Sequence, residues 1–240
     1  MMDENNYYIY CIALNAFDIE EEVIGHNHQI IFKVVYKDLA AYVSRTALTY
    51  FETSYDNLQC HEKVISELMK NTGVLPMCFS TICKSKESVI EMLQKYYDQF
   101  IQNLEDVAGK VELGIKAFYK IDFEEEDKKD KELLKIPKDY MLKRYERYCN
   151  RQKQINEILL PIETSHKVLV EIAADSCYTK PLKNNLIFNA SYLVLKDKKE
   201  CFDLAVEEMQ KNNPAYKILY SGPWPAYHFV NIVREGEENE

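Results

Sequence analysis

The stretch Leu219–Val230, LYSGPWPAYHFV, constrains this chain more than any other. It holds the one Trp of the protein, two of its seven Pro and one of its six Gly. Each proline lacks an N–H and has a fixed φ, and the residue before it is pushed toward extended geometry. Gly222-Pro223-Trp224-Pro225 is therefore excluded from helix and from an internal strand. Tyr216, Ile218 and Tyr220 precede it, and Tyr227, Phe229, Ile232 and Val233 follow. We read two strands joined by a rigid, aromatic-bearing corner that fixes the path of the last hairpin. Trp224 is expected to pack at a domain junction or on the second sheet. The competing reading is a stacking site for a ligand or partner.

Taken in order, the chain alternates strand and helix signals. Tyr7–Leu14 is a short aromatic and β-branched run that predicts a buried strand, and Asn15–His28 a loop or short helix. Ile30–Tyr36 and Leu39–Ser44, separated by Lys37-Asp38, predict a hairpin. Leu58, His61, Val64, Ile65 and Leu68 recur at helical steps over Tyr55–Asn71, with Ser54 or Thr53 as cap and Gly73 beyond the last turn. Val74–Cys83 is apolar and extended, with Pro76 marking an edge. One helix is predicted from Ser85 to Gly109, then a strand over Val111–Ile121. A sheet with helices packed on it, a modified ferredoxin-like sandwich, is the natural solution for residues 1–121.

Asp122–Asp127 holds five acidic residues in six, followed by a lysine-rich run. No core can form there, so 122–137 is read as a charged linker. A second α+β domain is expected over 138–234. It would contain a long helix (Lys138–Leu160), a helix begun by Pro161 (Ile162–Asp175), a strand (Leu186–Leu195), a helix (Lys199–Gln210) and the two strands of the opening motif. Residues 235–240 read as a disordered acidic tail.

The net charge of −9 argues against nucleic acid or an anionic membrane as the main partner. No apolar run reaches the ~20 residues of a membrane span. The polar, acidic start is unlike a signal peptide, so a cytoplasmic location is expected. The seven cysteines are scattered without metal-ligand spacing and read as free thiols in a reducing compartment, and no metal or cofactor is expected.

Catalytic motifs are absent: there is no Gly-rich phosphate loop, no nucleophile elbow and no His-Glu-x-x-His. The nearest approach is His61-Glu62. Adjacent helix residues do not face each other, so His61 is read as a hydrogen-bonded core histidine and Glu62 as a surface carboxylate. The alternative is an enzyme or small-ligand binder, with a pocket where His61, Glu62 or His228 converge. His26 and His28 read as loop residues, and His166 and His228 as isolated.

Four ordered motifs carry a resemblance across essentially the whole chain. They are Tyr8-Ile9-Tyr10-Cys11-Ile12; His61-Glu62 followed by Val74-Leu75-Pro76-Met77-Cys78-Phe79-Ser80-Thr81; Asn189-Ala190-Ser191-Tyr192-Leu193-Val194; and Gly222-Pro223-Trp224-Pro225-Ala226-Tyr227-His228-Phe229-Val230. Together they resemble the gas vesicle protein F/L family. The family has Arg where Cys78 stands, Gly at Ser80 and a third Pro at Ala226. A role for that Arg does not carry over, and Ser80 implies a backbone position that tolerates a Cβ.

The resemblance implies two α+β domains, the first a modified ferredoxin fold, and a non-enzymatic accessory protein. Such a protein would bind the hydrophobic shell protein and other accessory proteins during vesicle nucleation or assembly, and could remain as a minor shell component. Leu75, Pro76, Phe79, Gly222, Pro223, Trp224, Pro225, Tyr227 and Phe229, with His61 and Glu62, are the signature positions it marks as structural or partner-contacting.

Overall fold

A computed structural model describes residues 6–16, 22–120, 137–179 and 185–233. The expected acidic linker and tail lie outside these residues, apart from Pro137, which opens a helix. The chain divides into two compact units, 1–112 with 223–240, and 113–222, crossing from one to the other inside a strand each time.

In the first unit β1 (Asn6–Leu14) is central. It pairs antiparallel with β3 (Leu39–Thr46), which pairs with β2 (Phe32–Tyr36), and on its other side with β4 (Val74–Pro76) and β5 (Ile82–Cys83). Tyr8 to Ala13 are fully buried, which is why this strand reads as a continuous apolar run. A bulge at Tyr10 breaks the register between Ile9↔Val43 and Cys11↔Tyr42. The extra residue switches the alternation, so Tyr8 and Tyr10 before it and Cys11 and Ala13 after it enter the same core cluster. Pro76 is tolerated because β4 ends the sheet path.

α1 (Tyr55–Met69) starts where Ser54 Oγ accepts the Asn57 N–H at 3.2 Å, a cap worth about 1 kcal/mol. It buries His61, Val64, Ile65 and Leu68, each apolar member contributing about 1.5–3 kcal/mol. The single helix predicted after Ser85 is two: α2 (Lys86–Lys95), opened by a Ser85/Ser88 capping box, and α3 (Tyr97–Val107). Tyr96, at φ −107° and ψ 19°, breaks the path between them. Both turn their apolar stripes inward through Val89, Leu93, Phe100, Leu104 and Val107, so the break leaves the shared stripe intact.

The second unit is built on a four-stranded sheet. Its order is β7 (Asp175–Thr179), β8 (Leu186–Leu195), β6 (Lys110–Phe118), β9 (Lys217–Trp224). α4 (Pro137–Ile172) and α5 (Lys199–Asn212) pack on β8 and on each other. The fold class is α+β, as expected, and this second part of the chain differs from expectation in three places.

First, α4 runs through Pro161, where two helices were predicted. Ile155, Leu159, Ile162 and Leu169 are buried on both sides of the proline, so one packed face offsets the lost hydrogen bond. Second, β7 was not anticipated; its sequence DSCYT has no apolar alternation, and pairing with β8 defines it. Third, the Gly-Pro-Trp corner is not a corner. β9 continues through Gly222 and Pro223 to Trp224, which the edge position allows. No strand follows at 227–233.

Candidate functional site

Two of the motifs come together in the core of the first unit. Tyr8 Oη accepts the Ser80 N–H at 3.1 Å and lies 2.9 Å from His61 Nδ1. His61 Nε2 lies 3.1 Å from the Met77 carbonyl, which can only accept. The network therefore assigns the proton to Nε2, and Tyr8 donates to Nδ1. Tyr10 Oη accepts the His26 N–H at 2.8 Å and bonds Ser44 Oγ at 3.1 Å.

The rings interlock. His26 lies 4.6 Å from Tyr8 and 4.5 Å from Phe51, His61 stacks on Tyr10 at 5.7 Å, and Phe79 meets His61 edge-on at 5.7 Å. The knot joins β1, β3, α1, the turn at His26–His28 and the segment after β4. Gly25 is required here: a Cβ would meet the Tyr10 hydroxyl and would lie 2.7 Å from Ile31 Cδ1.

Burial sets the chemistry of this knot. His61 and His26 are each nearly closed off from solvent, and desolvation lowers both to about 4. Tyr10 is pushed up to about 12 for the same reason. Both histidines are thus neutral near pH 7. His26 Nε2 has no hydrogen-bond partner among the described residues. His26 lies in a loop turn, as expected of a loop residue, but is buried there.

The residues proposed for a pocket have separate hydrogen-bond partners. Glu62 accepts from Ser66 Oγ at 2.5 Å, while His61 is committed to Tyr8 and Met77. His228, read as isolated, is bound elsewhere. Its N–H donates to Glu112 Oε2 at 2.9 Å and its Nδ1 lies 2.5 Å from Glu112 Oε1. His166 likewise has a partner, the Tyr192 hydroxyl at 2.7 Å. Among the described residues no cluster of His, Cys, Asp or Glu could hold a metal ion, and no helix is long and apolar enough to cross a membrane.

The signature positions divide between core and surface. Leu75 and Pro76 are buried in β4, opposite Ile12 and Cys11. Phe79 packs against the knot. Ser80 sits at φ +65°, the left-handed region that favours glycine, so its Cβ is not simply tolerated. Its hydroxyl compensates by accepting the Phe51 N–H at 2.8 Å. Cys78 is exposed.

In the C-terminal motif Pro225 and Ala226 are buried, whereas Gly222, Pro223, Trp224 and Tyr227 are exposed and Phe229 is half-buried. Beyond it the backbone is held by side chains. Asn103 and Gln99 on α3 bind the backbones of Asn231 and Val233, and buried Glu112 binds that of His228. None of these three holders was singled out in the sequence. Glu112 left no signal, because it stands in the polar phase of the alternation of β6, where an acid is ordinary.

Comparison with known proteins agrees with the motifs. The family model described as gas vesicle synthesis protein GvpL/GvpF matches residues 6–231. Gas vesicle protein F1 of Halobacterium salinarum is 27% identical over 242 residues, covering 100% of this chain and 99% of its own. Gas vesicle protein F of a Streptomyces strain is 26% identical over 239 residues, covering 93% and 98%. The crystal structure of the gas vesicle protein GvpF from Anabaena shares the fold, with a TM-score of 0.82 at 20% identity, covering 98% of this chain and 99% of its own. That of GvpF from Microcystis aeruginosa gives 0.77 at 19%, covering 95% and 99%. This chain belongs to the gas vesicle protein F/L family.

Proposed function

We propose that this chain is a cytoplasmic accessory protein that binds the hydrophobic gas vesicle shell protein, and other accessory proteins, while the vesicle nucleates and grows. The observation that carries the reading is the mounting of Trp224 and Tyr227. Both present more than a third of their surface to solvent. Both sit on a segment fixed by two prolines, by buried Ala226 and by the Glu112–His228 bonds. Aromatic side chains held rigidly at a surface lose little entropy on binding, which is the usual make-up of a contact hot spot. A shell protein with an apolar face would aggregate if left uncovered, and such a surface could shield it.

A pull-down of the purified shell protein by the intact chain tests this. Binding by the wild type, weakened at least about tenfold by Trp224→Ala or Tyr227→Ala, is expected. No binding by the folded wild-type chain overturns the proposal.

A further inference from the structure

Two side-chain amides on α3 grip a stretch of extended backbone. Asn103 Nδ2 donates to the Asn231 carbonyl at 3.1 Å, and its Oδ1 accepts the Asn231 N–H at 2.8 Å. Gln99 Nε2 donates to the Val233 carbonyl at 3.3 Å, and its Oε1 accepts the Val233 N–H at 2.8 Å. A carboxamide offers one donor and one acceptor, the same pair that a strand edge offers. The spacing matches as well. Four residues of helix rise about 6 Å, and two residues of strand about 6.7 Å, so amides at positions i and i+4 meet alternate residues of an extended chain. None of the four bonds uses the side chain of residue 231 or 233.

The two halves of this contact are unequally secured. Asn103 is buried on its helix and braced by a further bond from Nδ2 to the Gln99 carbonyl at 2.8 Å. The segment it holds has no such support. No strand forms over 227–233, and among the described residues no backbone group of Asn231, Ile232 or Val233 bonds to another backbone group. Asn231 is exposed, and Val233 is 49% exposed. A fixed receptor thus carries an occupant that can be released from its outer end, at Gln99 and Val233.

We infer that Gln99 and Asn103 form a docking site for an extended strand of a partner protein, which the chain's own Asn231–Val233 fills in cis and yields by exchange. The cis segment shows what fits. Phe229, Val230 and Ile232 are half-buried, so the occupant carries aromatic or β-branched residues there and any residue but proline at the two gripped positions. Main-chain bonds supply the affinity and the half-buried side chains the selectivity, as in strand addition to a sheet edge. The site stands on α3 alone and does not depend on the role given to Trp224 and Tyr227.

The test uses the full chain and a fluorescent peptide that copies residues 227–233. Val233→Pro, and then Asn231→Pro/Val233→Pro, remove the N–H groups that the amides accept and open the site in two steps. Fluorescence anisotropy is expected to show the peptide binding the double variant at least about tenfold more tightly than wild type, with Val233→Pro between them, because the cis segment no longer competes. Gln99→Ala or Asn103→Ala added to the double variant should each lower the affinity about tenfold. The peptide N-methylated at its copies of Asn231 and Val233 should not bind. A second peptide, with the same aromatic and β-branched pattern but no other identity, should bind within about tenfold of the first. Circular dichroism checks each fold, and Val233→Pro, at an exposed position, serves alone should the double variant unfold.

Five results overturn the inference. The peptide fails to bind the opened, folded chain; the N-methylated peptide binds equally well; or the two alanine variants change nothing. Binding confined to the opened variants, with none to wild type at saturating peptide, would make the contact a permanent closure. Binding of the copied peptide without the patterned one, or a wild-type dimer by sedimentation that Asn103→Ala abolishes, would restrict the site to this chain's own segment.

Discussion

The side chain of Asn103 binds both backbone groups of Asn231. Its Nδ2 donates to the Asn231 carbonyl at 3.1 Å and its Oδ1 accepts the Asn231 N–H at 2.8 Å. One turn earlier, Gln99 does the same to Val233, at 3.3 and 2.8 Å. Two amides four residues apart on α3 thus stand in for the edge of a strand. Asn103 is buried, and removing a hydrogen-bonded buried partner costs about 1–3 kcal/mol. Asn103→Ala is expected to lower stability by that amount in urea unfolding, and to expose the segment after Phe229 to limited proteolysis. Asn103→Asp keeps the acceptor but sets a carboxylate against the Asn231 carbonyl, and should cost at least as much. Wild-type protease resistance in both variants would show that the amide does not hold the segment.

The neutral histidines of the Tyr8–Tyr10 knot make stability fall with acid. His26 and His61 are lowered by burial from 6.5 to about 4, so between these values the unfolded chain binds more protons than the folded one. The contribution is complete above about pH 6.5 and is lost as pH falls toward 4. Each histidine adds a slope of up to about 1.4 kcal/mol per pH unit in this window. His61→Gln can still donate to Met77 O and accept from Tyr8 while removing one titrating group. Urea unfolding at pH 5 and 7 should show its pH slope reduced by about one proton against wild type. An unchanged slope would show that His61 does not titrate this way.

Ser80 separates two effects that usually travel together. Its left-handed backbone favours glycine, while its hydroxyl satisfies the Phe51 N–H. Ser80→Ala loses the hydrogen bond and keeps the strain, so it should destabilise by about 1–2 kcal/mol. Ser80→Gly loses the bond and relieves about 1 kcal/mol of backbone strain, so it should fall within about 1 kcal/mol of wild type. Thermal or urea unfolding of the pair checks the order. Ser80→Gly less stable than Ser80→Ala would contradict it.

Features set by local chemistry were legible from residues alone. The Ser54 cap, the buried stripe of α1, the run of β8 and the edge position of Pro76 each depend on a few neighbours in sequence. What escaped depends on distant partners. The segment after Pro225 has strand composition, yet its backbone groups are taken by Gln99, Asn103 and Glu112, more than a hundred residues away. Nothing near Asn231 announces that. β7 exists because β8 offers it an edge. His26 is buried because Gly25 lets the backbone approach Tyr10, a contact invisible in a polar loop. For the His61–Glu62 pair sequence sufficed: helix geometry points the two side chains apart, and each has its own partner.

Pro161 interrupts the ladder of α4 at an exposed position, with no N–H to offer. In the turn before it, Tyr216 Oη donates to the Ile158 carbonyl at 2.8 Å. After it, the hydroxyls of Thr164 and Ser165 turn back onto the carbonyls of Leu160 and Pro161 at 2.8 and 3.2 Å. The helix continues because buried Ile155, Leu159 and Ile162 hold both halves to one core. Proline costs about 3 kcal/mol against alanine inside a helix. Proline also restricts the unfolded chain by about 1 kcal/mol, which offsets part of that cost. Pro161→Ala should therefore stabilise the protein by about 1–2 kcal/mol, with higher helicity by circular dichroism and a higher urea midpoint at unchanged slope. A destabilised Pro161→Ala would mean that the packed face requires the bend the proline imposes.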